Sequence, residues 1–220
     1  EFKKIDLDYV DIETRQNKIN IIKEKNKYIL NGPKFNANSL IEKLINNDDS
    51  KNSEIFNQNI YLNINIDQVF LDKEHKINNL IGRLDYKKNE ISNAELNAFF
   101  SKDKKFKFTV KSTPQEKVTT LYLDEAKPIV KRYKFIKGFN NGSLDFYSSK
   151  KDGKSNSNLK IYNFRLKELP VLTKLLTLAS LQGIADILSG EGITFDEFEM
   201  NFDNKNDLMT IHELYAIGPA

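Results

Sequence analysis

Cysteine is absent from the 220 residues, so disulfides and thiolate metal sites are both excluded. Histidine is nearly absent: the chain has only His75, in "DKEH", and His212, in "TIHEL". The second lacks the partner histidine of a zinc-protease helix and sits in a strand pattern, so both read as surface histidines. No Gly-x-Ser-x-Gly elbow occurs, because Ser189 precedes Gly190 and Gly192 and no matching base accompanies it. Those glycines follow a helical stretch instead of opening one, which rules out a phosphate-cradling loop. Carboxylates are plentiful but fall into no catalytic spacing. The chain reads as a non-enzyme, with no cofactor and no metal.

Charge of one sign is also missing. The 34 basic and 31 acidic residues leave a net charge of +3, a mixed-sign surface without the segregated basic face of a nucleic-acid binder. No nucleic-acid partner is expected. The hydrophobic fraction of 39% gives modest support for one thick core, yet 15 Phe and 9 Tyr must cover something or be covered. The chain opens "EFKKIDLDYV" without Met and closes on "YAIGPA" in a running strand pattern. It reads as a segment, 1–220, of a longer repetitive chain, and missing targeting signals carry no information.

What is present is alternation. "KKIDLDYVDI" sets Ile5, Leu7 and Tyr9 on one face, and "NIYLNINIDQVFL" sets Ile60, Leu62, Ile64 and Ile66 together. Phe106, Phe108 and Val110 follow the same rule, as do Leu144 and Phe146. Period-two patterning marks half-exposed strands of an antiparallel sheet. Turn signals fall at Lys88-Asn89, Asn140-Asn141-Gly142, Lys151-Asp152-Gly153 and Asn204–Asp207. About ten strands are expected, joined mostly by hairpins, with no βαβ rhythm. Two stretches, "GRLDYKKNEISNAELNAF" and "MNFDNKNDLMTIHELYAI", echo each other as strand, polar turn, strand.

Three helices are expected. Ser39-Leu40-Ile41-Glu42 is a capping box opening one that runs to about Asn46. Asp124 caps a second, with Ala126, Ile129, Val130 and Tyr133 on one face and Pro128 in the first turn. The third spans 169–188 and stops at Ser189-Gly190. Its apolar run is too short for a bilayer and is interrupted by Lys174, Gln182 and Asp186. It reads as a core helix under the sheet or as the lining of an apolar groove.

Residues 169–202, with Leu172, Leu175, Leu176, Ala179-Ser180-Leu181, Gly183, the Leu188–Ile193 turn, Phe195 and Phe202, resemble the AsmA-like family of bacterial envelope proteins. The likeness is to the C-terminal region of its large YhdP- and TamB-related members. The closing Gly218-Pro219-Ala220 and the strand "LKIYNFRLKELP" fit as well, and residues 120–220 carry the best match. The resemblance implies an open, curved antiparallel sheet, a half-pipe with about three helices on its inner face. It implies a location in the periplasm of a Gram-negative bacterium, anchored to the inner membrane through a segment outside this sequence. The implied activity is conducting phospholipids between inner and outer membranes, in envelope lipid homeostasis and outer-membrane biogenesis. Phospholipid acyl chains are then the expected partners, with other envelope proteins as candidates. The expected groove residues are Ile64, Ile66, Phe106, Phe108, Leu144, Phe146, Leu159 and Ile161, with Leu175, Leu178 and Leu181 from the helix. A scaffold binding client proteins by β-augmentation during outer-membrane protein assembly is the alternative.

Overall fold

The computed structural model describes residues 4–10, 16–24, 27–45, 59–87, 90–132, 138–167, 192–206 and 208–218. The chain is mainly β. Among the described residues, paired strands are neighbours in chain order, and the pairing is that of an open sheet, not a closed barrel. By contacts it divides into two compact units, Glu1–Thr119 and Thr120–Ala220.

The first unit begins with β1 (Lys4–Val10), β2 (Gln16–Glu24) and β3 (Lys27–Asn36), which pair antiparallel. Helix α1 (Asn38–Ile45) follows, then β4 (Ile60–Phe70), β5 (Lys76–Lys87), β6 (Glu90–Phe99) and β7 (Lys105–Ser112). These four strands form successive antiparallel hairpins. The exception to the expected topology is β3–β4, which pair in parallel. The sheet is therefore mixed, not purely antiparallel. The physical reason is the connection: a crossover through α1 is long enough to return the chain in the same direction, which a tight turn cannot do.

Helix α1 starts one residue before the Ser39 capping box. Asn38 N–H donates to Asn36 Oδ1 at 3.1 Å and Asn38 Nδ2 donates to Glu42 Oε1 at 3.2 Å, so asparagines organise the first turn. Ala37 N–H donates to the Phe70 carbonyl at 2.9 Å, tying the helix entry to the end of β4.

Strand β8 (Lys117–Leu123) contains the division between the units. The second unit continues with α2 (Lys127–Val130), β9 (Phe139–Lys151), β10 (Lys154–Leu166), β11 (Ile193–Lys205) and β12 (Leu208–Ile217). Strands β9 to β12 pair antiparallel in sequence. Helix α2 is a single turn with Ala126 at its N-cap position and no side-chain cap, and with Pro128 in its first turn as expected. Asp124 does not cap it; its carboxylate accepts from Tyr122 Oη at 2.6 Å instead. The anchor is Ala126 N–H, which donates to the Gly142 carbonyl in β9 at 2.8 Å. Only these two short helices occur among the described residues, against three expected, and the third expectation (169–188) lies outside those residues.

Both echoed stretches are hairpins, β5–β6 and β11–β12. Asp152 (φ 50°) and Gly153 (φ 75°) make the expected tight turn between β9 and β10. Asn140-Asn141-Gly142, read as a turn, lies within β9. Its left-handed residues, Asn141 (φ 61°) and Gly142 (φ 82°), serve there to bend a strand that stays paired to β10.

Candidate functional site

Directly paired residues share a face of the sheet, so the ladders show which side chains lie together. In the first unit one row crosses six adjacent strands: Ile21, Leu30, Ile64, Gly82, Leu96 and Phe108. Every member is half-buried. Beside it run Leu62, Leu84, Ala94 and Val110, of which Ala94 and Val110 are buried. The neighbouring positions on these strands, such as Asn31, Asn63, Arg83, Asn97 and Lys107, take the other face by strand alternation. One face is apolar and the other mostly polar, although the Ile22–Ile29 pair and the buried Val69–Ile77 pair fall on the second face by the same alternation.

Of the expected groove residues, Ile64 and Phe108 belong to the six-strand row. Ile66 pairs with Leu80 on the same face but is only 2% exposed, which makes it core. Phe106 pairs with Ala98 and meets the buried Phe100 edge to face, ring centroids 6.3 Å apart. Ile21, Leu30 and Leu96 were not anticipated. The alternation in β2, β3 and β6 was available as a signal, but Asn and Lys between their apolar residues dilute it.

The second unit repeats the arrangement. Leu144, Ile161, Phe198 and Ala216 form one row across β9 to β12, and Phe146, Leu159, Met200 and Leu214 form the next. Leu144 and Ile161 are buried, whereas Phe146, Leu159, Phe198 and Met200 are half-buried and Leu214 is exposed. All four expected residues of this unit therefore share one face. Leu175, Leu178 and Leu181 lie outside the described residues.

A second aromatic feature was not legible. Phe139, Phe164 and Phe195 are buried and stack at 5.4 and 5.1 Å with interplanar angles of 18° and 15°. Along β10, Ile161 and Phe164 have opposite parity, so strict alternation cannot bury both. Asn163 (φ 50°) stands between them and breaks the pleat.

The polar face of the second unit carries a charge lattice. Lys160 Nζ lies 2.9 Å from Glu199 Oε2, and Asn158 Nδ2 donates to Glu199 Oε1 at 2.5 Å. Tyr215 Oη also donates to Glu199. Together Tyr215, Lys160 and Asn158 hold the Glu199 carboxyl down to about 2, and the same carboxylate pushes the Tyr215 phenol up. The register shift between Asn201 and Phe202 leaves His212 as the extra residue of β12. His212 Nε2 reaches Asp203 Oδ2 at 2.7 Å, and Lys154 Nζ reaches the same oxygen at 2.5 Å. Hydrogen bonds from Lys154 and then His212 lower the Asp203 pKa. These contacts clamp neighbouring strands to one another across the ladder.

His75 departs from the surface reading. It is half-buried in the β4–β5 turn, where its Nδ1 lies 2.9 Å from Asp72 Oδ1. That oxygen also accepts from the backbone N–H of Glu74 at 2.7 Å and of His75 at 2.8 Å. No group of metal-ligating side chains occurs among the described residues, and none of their helices is long and apolar enough to cross a membrane.

Comparison with protein-family profiles, with curated proteins and with solved structures gave no match in any of the three.

Proposed function

We propose that the apolar face is a sliding surface for phospholipid acyl chains, in a periplasmic protein of the AsmA-like kind that conducts lipid between the two bacterial membranes. The observation that supports this reading is the half-buried row from Ile21 to Phe108. An apolar row left partly open across six strands suits a ligand that is itself apolar and extended. Six strands at a spacing of about 4.8 Å make a track about 24 Å long. Shielding about fifteen methylenes recovers roughly 12 kcal/mol at about 0.8 kcal/mol each, so no polar pocket is needed to hold a chain. The curved trough, the inner-membrane anchor and the role in envelope lipid homeostasis belong to this proposal. It contains no enzymatic step.

The test is photo-crosslinking with lipid present. A crosslinker at Leu96 or Phe108 should capture phospholipid, and one at Asn63, on the other face, should not. Equal capture at all three positions removes the sided surface. Mass spectrometry of co-purifying lipid supplies the second readout.

The second reading, a scaffold for client proteins in outer-membrane assembly, is favoured by β12. Leu208 is 69% exposed there, and Ile211 and Leu214 are about half exposed. A client strand added to β12 would cover them. Proline replacements in β12 would abolish client capture and leave lipid capture at Phe108 intact.

A further inference from the structure

The face opposite the apolar row has its own asymmetry in the first unit. Ile81, Asn97 and Lys107 form one row across β5 to β7, and Phe99 pairs with Lys105 in the next. The adjoining turn from β6 to β7 carries Lys102, Asp103 and Lys104, and is closed by Phe100 N–H donating to the Lys104 carbonyl at 2.8 Å. Lys102, Lys104, Lys105 and Lys107 are all exposed, and Asp103 is the one acid among these residues. The flanking row holds Arg83 and Glu95, 3.9 Å apart, so those charges largely offset each other. Amid the lysines, two apolar side chains face solvent: Ile81 at 52% and Phe99 at 38% exposure.

We propose that this patch docks the protein on an anionic membrane surface. The stretch from Lys102 to Lys107 carries four lysines and one carboxylate, while the whole chain is nearly balanced at +3. Juxtaposed lysines are attracted to acidic headgroups, and an exposed aliphatic and an exposed aromatic side chain enter the interfacial layer beside them. Nucleic acid fits less well. Phe99 could stack on one base, but Ile81, the more exposed of the two apolar side chains, offers no stacking platform. The docking is independent of the acyl-chain surface, which lies on the other face of the same strands.

The experiment is vesicle co-sedimentation of the full chain. Phosphatidylcholine vesicles are compared with vesicles containing about 30% phosphatidylglycerol, at about 0.05 and about 0.5 M NaCl. Binding is expected to the anionic vesicles alone and to disappear at the higher salt. The triple variant Lys102→Glu/Lys105→Glu/Lys107→Glu should lose at least about tenfold in affinity. A control with the same net charge, Lys150→Glu/Lys151→Glu/Lys205→Glu, replaces exposed lysines of the second unit and should stay within about twofold. Ile81→Ser with Phe99→Ser should weaken binding and leave its salt dependence unchanged. Equal binding to both vesicle types, equal loss in both triple variants, or a preference for a single-stranded oligonucleotide over the anionic vesicles would overturn the proposal. Co-purifying lipid in the triple variant reports separately on the acyl-chain surface.

Discussion

Gly82 and Leu96 stand opposite each other in the β5–β6 ladder, so closely that a β-carbon on Gly82 would lie 1.9 Å from the Glu95 carbonyl oxygen. Gly82 also has φ 151°, which an L side chain rarely adopts. It is the one residue of the six-strand row without a side chain. The gap is therefore imposed by the backbone of β6, which approaches too near for anything larger.

Gly82→Ala should destabilise the first unit by about 1–3 kcal/mol through backbone strain alone. Urea unfolding measures this, and an unchanged midpoint would mean that β5 and β6 can separate without cost.

Ile66 and Ile64 should behave differently although they share a face. Ile66 is 2% exposed, so Ile66→Ala should cost about 2–5 kcal/mol through lost burial and a cavity. Ile64 is half-buried and has fewer fixed neighbours to lose, so Ile64→Ala should cost clearly less. If Ile64 contacts acyl chains, its variant should instead reduce lipid capture at Leu96. Equal losses of stability would assign both residues to the core.

Acid should unpick the second unit's lattice. The Glu199 carboxyl falls from 4.5 to about 2 on folding, chiefly because Tyr215 and Lys160 donate to the charged form. Its contribution to stability is then fully present above pH 4.5 and is lost as pH falls through about 2. Glu199→Gln should flatten the fall in melting temperature across that window. Asp203 is shifted in the same direction, so some acid dependence should survive in the variant.

Asp72 should matter more than an exposed-turn aspartate normally does. Its Oδ1 serves the His75 ring and the backbone N–H groups of Glu74 and His75. Asp72→Ala should cost about 1–3 kcal/mol, since bonds to a charged acceptor are lost together. Hydrogen exchange at the Glu74 and His75 amides should accelerate in the variant, and unaltered protection there would show that the backbone alone holds the turn.

The sequence by itself determined which residues can share a face. Alternation along Ile60–Phe70, Lys105–Ser112 and at Leu144 and Phe146 follows from side chains pointing to opposite sides of a strand, so strands were legible there, as were the turn at Asp152-Gly153 and the hairpins at both echoed stretches. Tertiary structure decided the rest. The parallel β3–β4 pair depends on where a long connection lands, which no local pattern encodes. Asn141, Gly142 and Asn163 look like turn formers, yet the pairing around them keeps them in strands and lets residues of both parities be buried. Ile66 became core and Ile64 stayed half open because coverage comes from neighbouring elements, not from the period-two pattern both obey. Glu199, Lys160 and Tyr215 lie 16 to 55 positions apart in the chain, and the registers of three strands are needed to bring their charges together.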